Sequence, residues 1–173
     1  LQEVLVIPAN VPPHRPKPLI SSFHRFAMVA LAVAGREGWR ASDVELRHEA
    51  PSYTVTTLQR FHERGYAPTE LHFLIGADAF IDIAKWRDYP RLLDRAHFVV
   101  VSRPGCPASN LPQALPTLAS RMVRPGTEPS TPSIFLIDGD TADVSSTAIR
   151  RLLGAGERVE GMVDPRVLQH IEQ

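Results

Sequence analysis

The most constraining feature of this sequence is its rhythm: short β-branched, apolar runs alternate with longer segments of helical periodicity. Parallel strands need long, usually helical crossovers, so this alternation predicts an α/β fold with a Rossmann-like parallel sheet and helices on both faces. Val4 to Ile7, Leu71 to Ile75, Phe98 to Val101 and Ile134 to Ile137 are apolar at consecutive positions, as expected of strands covered on both faces. Arg40 to Leu46 reads as a weaker, peripheral strand.

Helices are predicted between them. Ser21 or Ser22 caps a segment whose Phe23, Phe26, Ala27, Ala30, Leu31 and Ala34 share one stripe, ended by Gly35 and Gly38. A second runs from Thr54 to Gly65, and a third covers part of Ala77 to Arg95, broken near Pro90. Ser146 or Thr147 opens a fourth that Gly154 stops, and Pro165 suits the first turn of a last helix ending at Ile171. Two stretches are irregular. Pro8 to Pro18 holds five prolines in eleven residues and must be extended, and Cys106 to Ser133 holds six more with no clear periodicity except around Leu111 to Met122.

The 173 residues suit one domain spanning 1–173 with its own core. Nineteen Lys and Arg balance nineteen Asp and Glu, which removes the global attraction expected of a nucleic-acid coat or a binder of anionic membranes. The longest apolar run, the nine residues Phe26 to Ala34, is about half of a membrane span. With Cys106 alone no intramolecular disulfide can form, and no Cys/His spacing suits a protein-held metal, so the expected compartment is the cytoplasm.

Chemistry concentrates where strands end. Val144-Ser145-Ser146-Thr147-Ala148-Ile149-Arg150 opens a helix, where unpaired N–H groups, hydroxyls and the positive dipole end suit phosphate oxygens. Arg150, three residues after Thr147, reaches the same side; taken alone, the segment equally suits an ordinary cap followed by a surface arginine. After the first strand, Asn10, His14, Arg15 and Lys17 lie on a proline-stiffened segment that suits a polyphosphate clamp or a charged solvent loop. Gly76-Ala77-Asp78 permits close backbone approach and a carboxylate for ribose hydroxyls, although Asp78 also suits a helix N-terminus. Trp86-Arg87 offers a stacking indole, or a core tryptophan, and Arg103 another cation. Ligands of open parallel sheets sit beyond the carboxyl ends of strands, so together these pieces predict a nucleotide site.

Taken in order, Ile7-Pro8-Ala9-Asn10, Pro12-Pro13-His14-Arg15, Pro51-Ser52-Tyr53-Thr54, Ile75-Gly76-Ala77-Asp78, Trp86-Arg87, Ser102-Arg103-Pro104-Gly105 and Ser145 to Arg150 resemble the bacterial nicotinate-nucleotide adenylyltransferases of the nucleotidyltransferase superfamily. The resemblance covers nearly the whole chain. It implies transfer of AMP from ATP to nicotinate mononucleotide, giving deamido-NAD and pyrophosphate in NAD biosynthesis. It further implies His14 and Arg150 as catalytic, and Arg15, Gly76, Asp78, Ser145, Ser146, Thr147 and Arg150 as ATP-binding. Asn10, Thr54, Trp86, Arg87 and Arg103 would meet the acceptor, with Trp86 on the pyridine ring and the Thr54 and Arg87 amides on the carboxylate. Mg2+ would ride on the phosphates. Partners would be small molecules, with neither nucleic acid nor membrane, and a homo-oligomer is compatible.

The chain departs from the family pattern at its start. The glycine-rich first strand and its H-x-G-H histidines do not occur, and the expectation is an N-terminally incomplete domain, unstable and inactive as an isolated 173-residue chain. Two alternatives remain open at this point: a nucleotide-binding pseudoenzyme without those histidines, and an adenylyltransferase for another phosphorylated acceptor such as phosphopantetheine. A G-x-F-D-x-x-H-x-G-H reading upstream of Leu1 in the gene discriminates the enzyme from the pseudoenzyme.

Overall fold

A computed structural model describes residues 2–13, 20–48 and 50–172. In chain order its strands are β1 (Val4–Val6), β2 (Trp39–Ala41), β3 (His72–Gly76), β4 (His97–Val101), β5 (Met122–Val123) and β6 (Ile134–Ile137). Its α-helices are α1 (Ser22–Val33), α2 (Thr54–Glu63), α3 (Ala77–Phe80), α4 (Leu111–Ala114), α5 (Ser146–Gly154) and α6 (Pro165–Ile171). The chain divides into two compact units, Thr54–Asp143 and Leu1–Tyr53 with Val144–Gln173.

The unit Leu1–Tyr53 with Val144–Gln173 contains one βαβ crossover. β1 and β2 pair in parallel, Val4 opposite Trp39 and Val6 opposite Ala41, and α1 connects them. The Ser21 hydroxyl accepts from the His24 amide at 3.3 Å, satisfying one of the donors a helix start leaves free. α6 begins on Asp164, whose carboxylate accepts from the Arg166 amide at 2.9 Å. The Arg166 guanidinium beside it pulls that carboxyl down to about 2. The same guanidinium donates to the Ala34 carbonyl at 2.8 Å, joining the end of α1 to the start of α6.

The unit Thr54–Asp143 holds a four-stranded, all-parallel sheet in the order β3-β4-β6-β5. His72 pairs with His97 and Gly76 with Val101, so β3 and β4 end level with one another. Its core joins Phe80, Ile83, Leu92, Leu93, Phe98 and Val100, all inaccessible to water or nearly so. Phe98 meets Phe73 and Phe80 with tilted rings at 5.5 and 5.9 Å, a geometry aromatic quadrupoles favour.

The predicted strands and principal helices form, with instructive differences. The strand expected over 40–46 covers only Trp39–Ala41, and residues 44–47 turn, burying Val44. Burial on both faces holds for β4 but not for β1, and Leu74 of β3 is exposed, pointing away from buried Ile75 as strand alternation requires. In α1 only Val33 is buried and Phe23 is 79% exposed. Periodicity predicts which residues share a face, not how much of that face is covered. The segment 77–95 breaks into α3 and 3₁₀ turns at Ile83–Lys85 and Arg91–Asp94. The stretch 106–133 gains α4, with Pro112 in its first turn where a missing N–H costs nothing, and the short edge strand β5. Among the described residues no helix is long and apolar enough to cross a membrane.

Candidate active site

The hydroxyl-rich segment before Arg150 forms a capped helix start. Ser145 is extended, and its Oγ accepts from the Ala148 amide at 3.1 Å. Ser145, Ser146, Thr147 and Arg150 are all exposed, as a group that receives a ligand must be. Arg150 Nη1 donates to Ser146 Oγ at 3.4 Å, so the arginine lies one turn on, along the face of the helix start. The first amides of α5 and this guanidinium offer the donor chemistry that phosphate oxygens accept.

Beyond β1, Asn10 is held in place by three partners. Its amide donates to Ser52 Oγ at 2.9 Å, its Nδ2 to the His48 carbonyl at 2.7 Å, and its own carbonyl accepts from Arg25 Nη2 at 2.9 Å. Arg25 Nη1 also donates to the Ala9 carbonyl. Arg25 had no signal in the sequence, because only tertiary folding brings α1 beneath the end of β1. His14 and Arg15 lie outside the described residues, as does Lys17.

In the unit Thr54–Asp143, Gly76, Asp78 and Arg103 come together. Gly76 has φ −73° and ψ 147°, a conformation open to any residue, so its role is space rather than backbone freedom. A Cβ there would stand 2.5 Å from Asp78 Oδ1 and 3.1 Å from Arg103 Cγ. The Asp78 carboxylate and the aliphatic stem of Arg103 thus flank a bare stretch of backbone at the carboxyl end of β3. Arg103 stands on a tight turn: its N–H donates to the Cys106 carbonyl at 3.0 Å, the Cys106 N–H returns to its carbonyl at 2.8 Å, and Gly105 between them has φ +75°. Pro104-Gly105 is the pair a type II turn requires. Buried Ser102 fastens this turn, accepting from the Ala108 amide at 2.9 Å and donating to Asp138 Oδ1 at 2.5 Å. That hydroxyl, aided by the Ser109 amide, holds the Asp138 carboxyl below its ordinary value.

A cleft of about 470 Å³ in the same unit is lined by Val55, Thr56, Gln59, Arg87, Asp88 and Arg95. Thr54 opens the helix that forms one wall, and Arg87 belongs to the other. Trp86, half-buried, packs edge-on against Phe73 at 6.1 Å and joins the core while keeping an accessible portion. Gln59, Asp88 and Arg95 were not foreseen; the left-handed backbone of Asp88, φ +66°, leaves no mark in the sequence. Among the described residues no three His, Cys, Asp or Glu side chains converge where they could hold a metal ion.

Residues 1–152 match the family model described as cytidylyltransferase-like. A Salmonella typhimurium protein named nicotinate-nucleotide adenylyltransferase is 34% identical over 177 residues, covering 100% of this chain and 83% of that protein. One from Roseiflexus castenholzii, named "probable nicotinate-nucleotide adenylyltransferase", is 35% identical over 175 residues, covering 99% of this chain and 81% of its own length. Among solved structures, Plasmodium falciparum nicotinic acid mononucleotide adenylyltransferase complexed with NaAD superposes with a TM-score of 0.70 over 99% of this chain and 80% of that one. Its sequence identity is 16%, so that likeness is one of fold. Sequence kinship along the full chain and a shared fold agree, and the chain belongs to the cytidylyltransferase-like family, among the nicotinate-nucleotide adenylyltransferases.

Proposed function

We propose that this chain transfers an adenylyl group from ATP to nicotinate mononucleotide, releasing pyrophosphate and giving deamido-NAD for NAD biosynthesis. The observation that carries this reading is identity above 30% to relatives of that name over the whole chain. The site chemistry supports it. A phosphate oxygen of the mononucleotide attacks the α-phosphorus of ATP in line; one P–O bond forms, the bond to the β-phosphate oxygen breaks, and pyrophosphate departs with the electron pair. No protein nucleophile is needed, so the residues contribute position and charge.

In this reading Ser145, Ser146, Thr147 and Arg150 seat the ATP phosphates through amides, hydroxyls and one guanidinium. Gly76 admits the nucleotide against bare backbone, Asp78 accepts from ribose hydroxyls, and Arg103 lies near phosphate. Trp86 stacks on the pyridine ring, and the Thr54 and Arg87 amides receive its carboxylate. Backbone donors aimed at an anion match nicotinate and leave a carboxamide NH₂ poorly matched. His14, Arg15 and Asn10 are assigned to the reacting phosphates and the space between the two nucleotides. Magnesium, when present, neutralises phosphate charge; oxygen-seeking and reluctant to shed water, it is assigned to the substrate phosphates rather than to a protein cage. Cytoplasmic residence and small-molecule partners complete the proposal.

The test is a pair of substitutions in the protein. Arg150→Ala lowers kcat/KM for ATP by about 100-fold or more, the scale of losing a charge-stabilising donor. Trp86→Ala raises KM chiefly for nicotinate mononucleotide. Unchanged ATP kinetics would return the start of α5 to a simple cap, and equal loss for every phosphorylated acceptor would remove the pyridine pocket.

A further inference from the structure

We propose that Arg95 is a positioning residue for the acceptor, holding the first turns of α2 at a set distance from the Trp86–Asp88 turn. The inference rests on the functional reading above, which assigns the Thr54 and Arg87 amides to the nicotinate carboxylate. Arg95 Nη1 donates to Gln59 Oε1 at 2.8 Å, and its Nη2 stands 3.8 Å from Asp88 Oδ2. Gln59 lies about a turn and a half along the helix that Thr54 opens, and Asp88 directly follows Arg87. One planar guanidinium therefore spans both walls of the cleft.

The arginine is well placed for this task. It ends the 3₁₀ turn Arg91–Asp94, its amide donating to the Leu92 carbonyl at 3.1 Å, and Leu92 and Leu93 are buried in the core. The fork thus projects from anchored backbone. Asp88, by contrast, needs holding: a left-handed φ of +66° is uncommon outside glycine, although Asp tolerates it better than most residues. Its carbonyl accepts from the Leu92 amide at 2.8 Å and its carboxylate faces Arg95, so both ends of the residue are restrained. Arg95 and Asp88 are each about one-third exposed at the side chain, where an ion pair adds little stability. What the contact supplies is spacing, and a pocket that recognises a carboxylate with two backbone amides depends on spacing.

The protein with Arg95→Met keeps the aliphatic stem and loses the fork, and Gln59→Leu removes the opposite partner from an exposed helix position. Each is expected to raise KM for nicotinate mononucleotide about tenfold or more, the penalty of a loosened positioning contact, while KM for ATP and the melting temperature change little. Arg95→Lys should not rescue, because a point charge cannot serve both partners. The double variant should be no worse than Arg95→Met alone, since both remove one shared contact. An unmoved KM for the mononucleotide in both single variants, or an equal rise for both substrates, overturns the proposal. Trp86→Ala measured alongside separates the two levels: if it raises that KM and Arg95→Met does not, only the Arg95 role falls; if neither does, the acceptor pocket falls with it.

Discussion

In the unit Thr54–Asp143, Phe80, Ile83, Leu92, Leu93, Phe98, Val100, Leu111 and Ile134 are sealed from water, whereas among the described residues of Leu1–Tyr53 with Val144–Gln173 the buried apolar ones are four valines, Val33, Val44, Val159 and Val167. α5 has no buried residue. Candidate groups in the first unit inherit their positions from a packed interior that resists small displacements. Those in the second depend on hydrogen bonds at the ends of elements: the Ser145 cap, Arg25 on the Ala9 and Asn10 carbonyls, and Arg166 on Ala34. Each such bond contributes only about 1 kcal/mol net. The lesson is a contrast in anchoring: candidate groups in the first unit are shaped in advance by packing, while the start of α5 is expected to open at lower free energy.

The largest effect that bears on this contrast comes from the cores. Phe98→Ala should cost about 3–5 kcal/mol in urea denaturation, whereas Val159→Ala should cost roughly 2 kcal/mol, from about 0.8 kcal/mol per buried methylene and a cavity term. Equal costs would break the comparison. Next come the site elements themselves. Gly76→Ala would set a Cβ 2.5 Å from Asp78 Oδ1 and 3.1 Å from Arg103 Cγ; Asp78 is exposed and its side chain can swing away, so the expected cost to stability is no more than about 1 kcal/mol, with a higher KM for ATP as the displaced groups lose their places. Ser145→Ala removes one cap at about 1 kcal/mol and should speed hydrogen exchange in α5 while leaving β4 amides unchanged. If β4 and α5 amides already exchange alike in the parent protein, the contrast in local stability is wrong.

The smallest effect is a pH response confined to the packed unit. Burial, and secondarily the His72 ring stacked at 4.8 Å, hold the His97 imidazole below its ordinary value. The unfolded chain therefore takes up the proton first. Stability from this group is complete above about pH 6.5 and declines as the pH falls from there towards the lower folded-state value. Melting temperature should drop as the pH falls from about 6.5 to about 5.5, a window that lies above the range of the depressed carboxyls Asp138 and Asp164. A flat profile would show that His97 is not enclosed as tightly as described.

The parallel strands, the capped starts of α1 and α5 and the proline-opened α6 were legible because local chemistry and periodicity agree there. Gly76, Asp78 and Arg103 could be named from the sequence, since each stands at or just beyond a strand's carboxyl end, yet their convergence depends on β3 and β4 ending level, which strand register alone decides. Gln59, Asp88 and Arg95 could not be read in advance. Their contacts link a helix to a turn across 36 residues, and the left-handed conformation at Asp88, though one Asp tolerates better than most residues, has no local sequence pattern that announces it. The edge strand β5 was hidden for the opposite reason: two residues, Met122 and Val123, are too few to show a period.

Ser102 and the reciprocal amide pair of Arg103 and Cys106 make a bracket from which one guanidinium extends. An arginine on a loose loop must be brought to order when its anion arrives, and that lost freedom weakens capture. Here the disorder of the main chain was given up during folding. An alanine in place of Ser102 would leave Arg103 chemically intact and yet is expected to loosen the turn that carries it, so the order of this cation's main chain rests on a neighbouring hydroxyl rather than on the arginine itself.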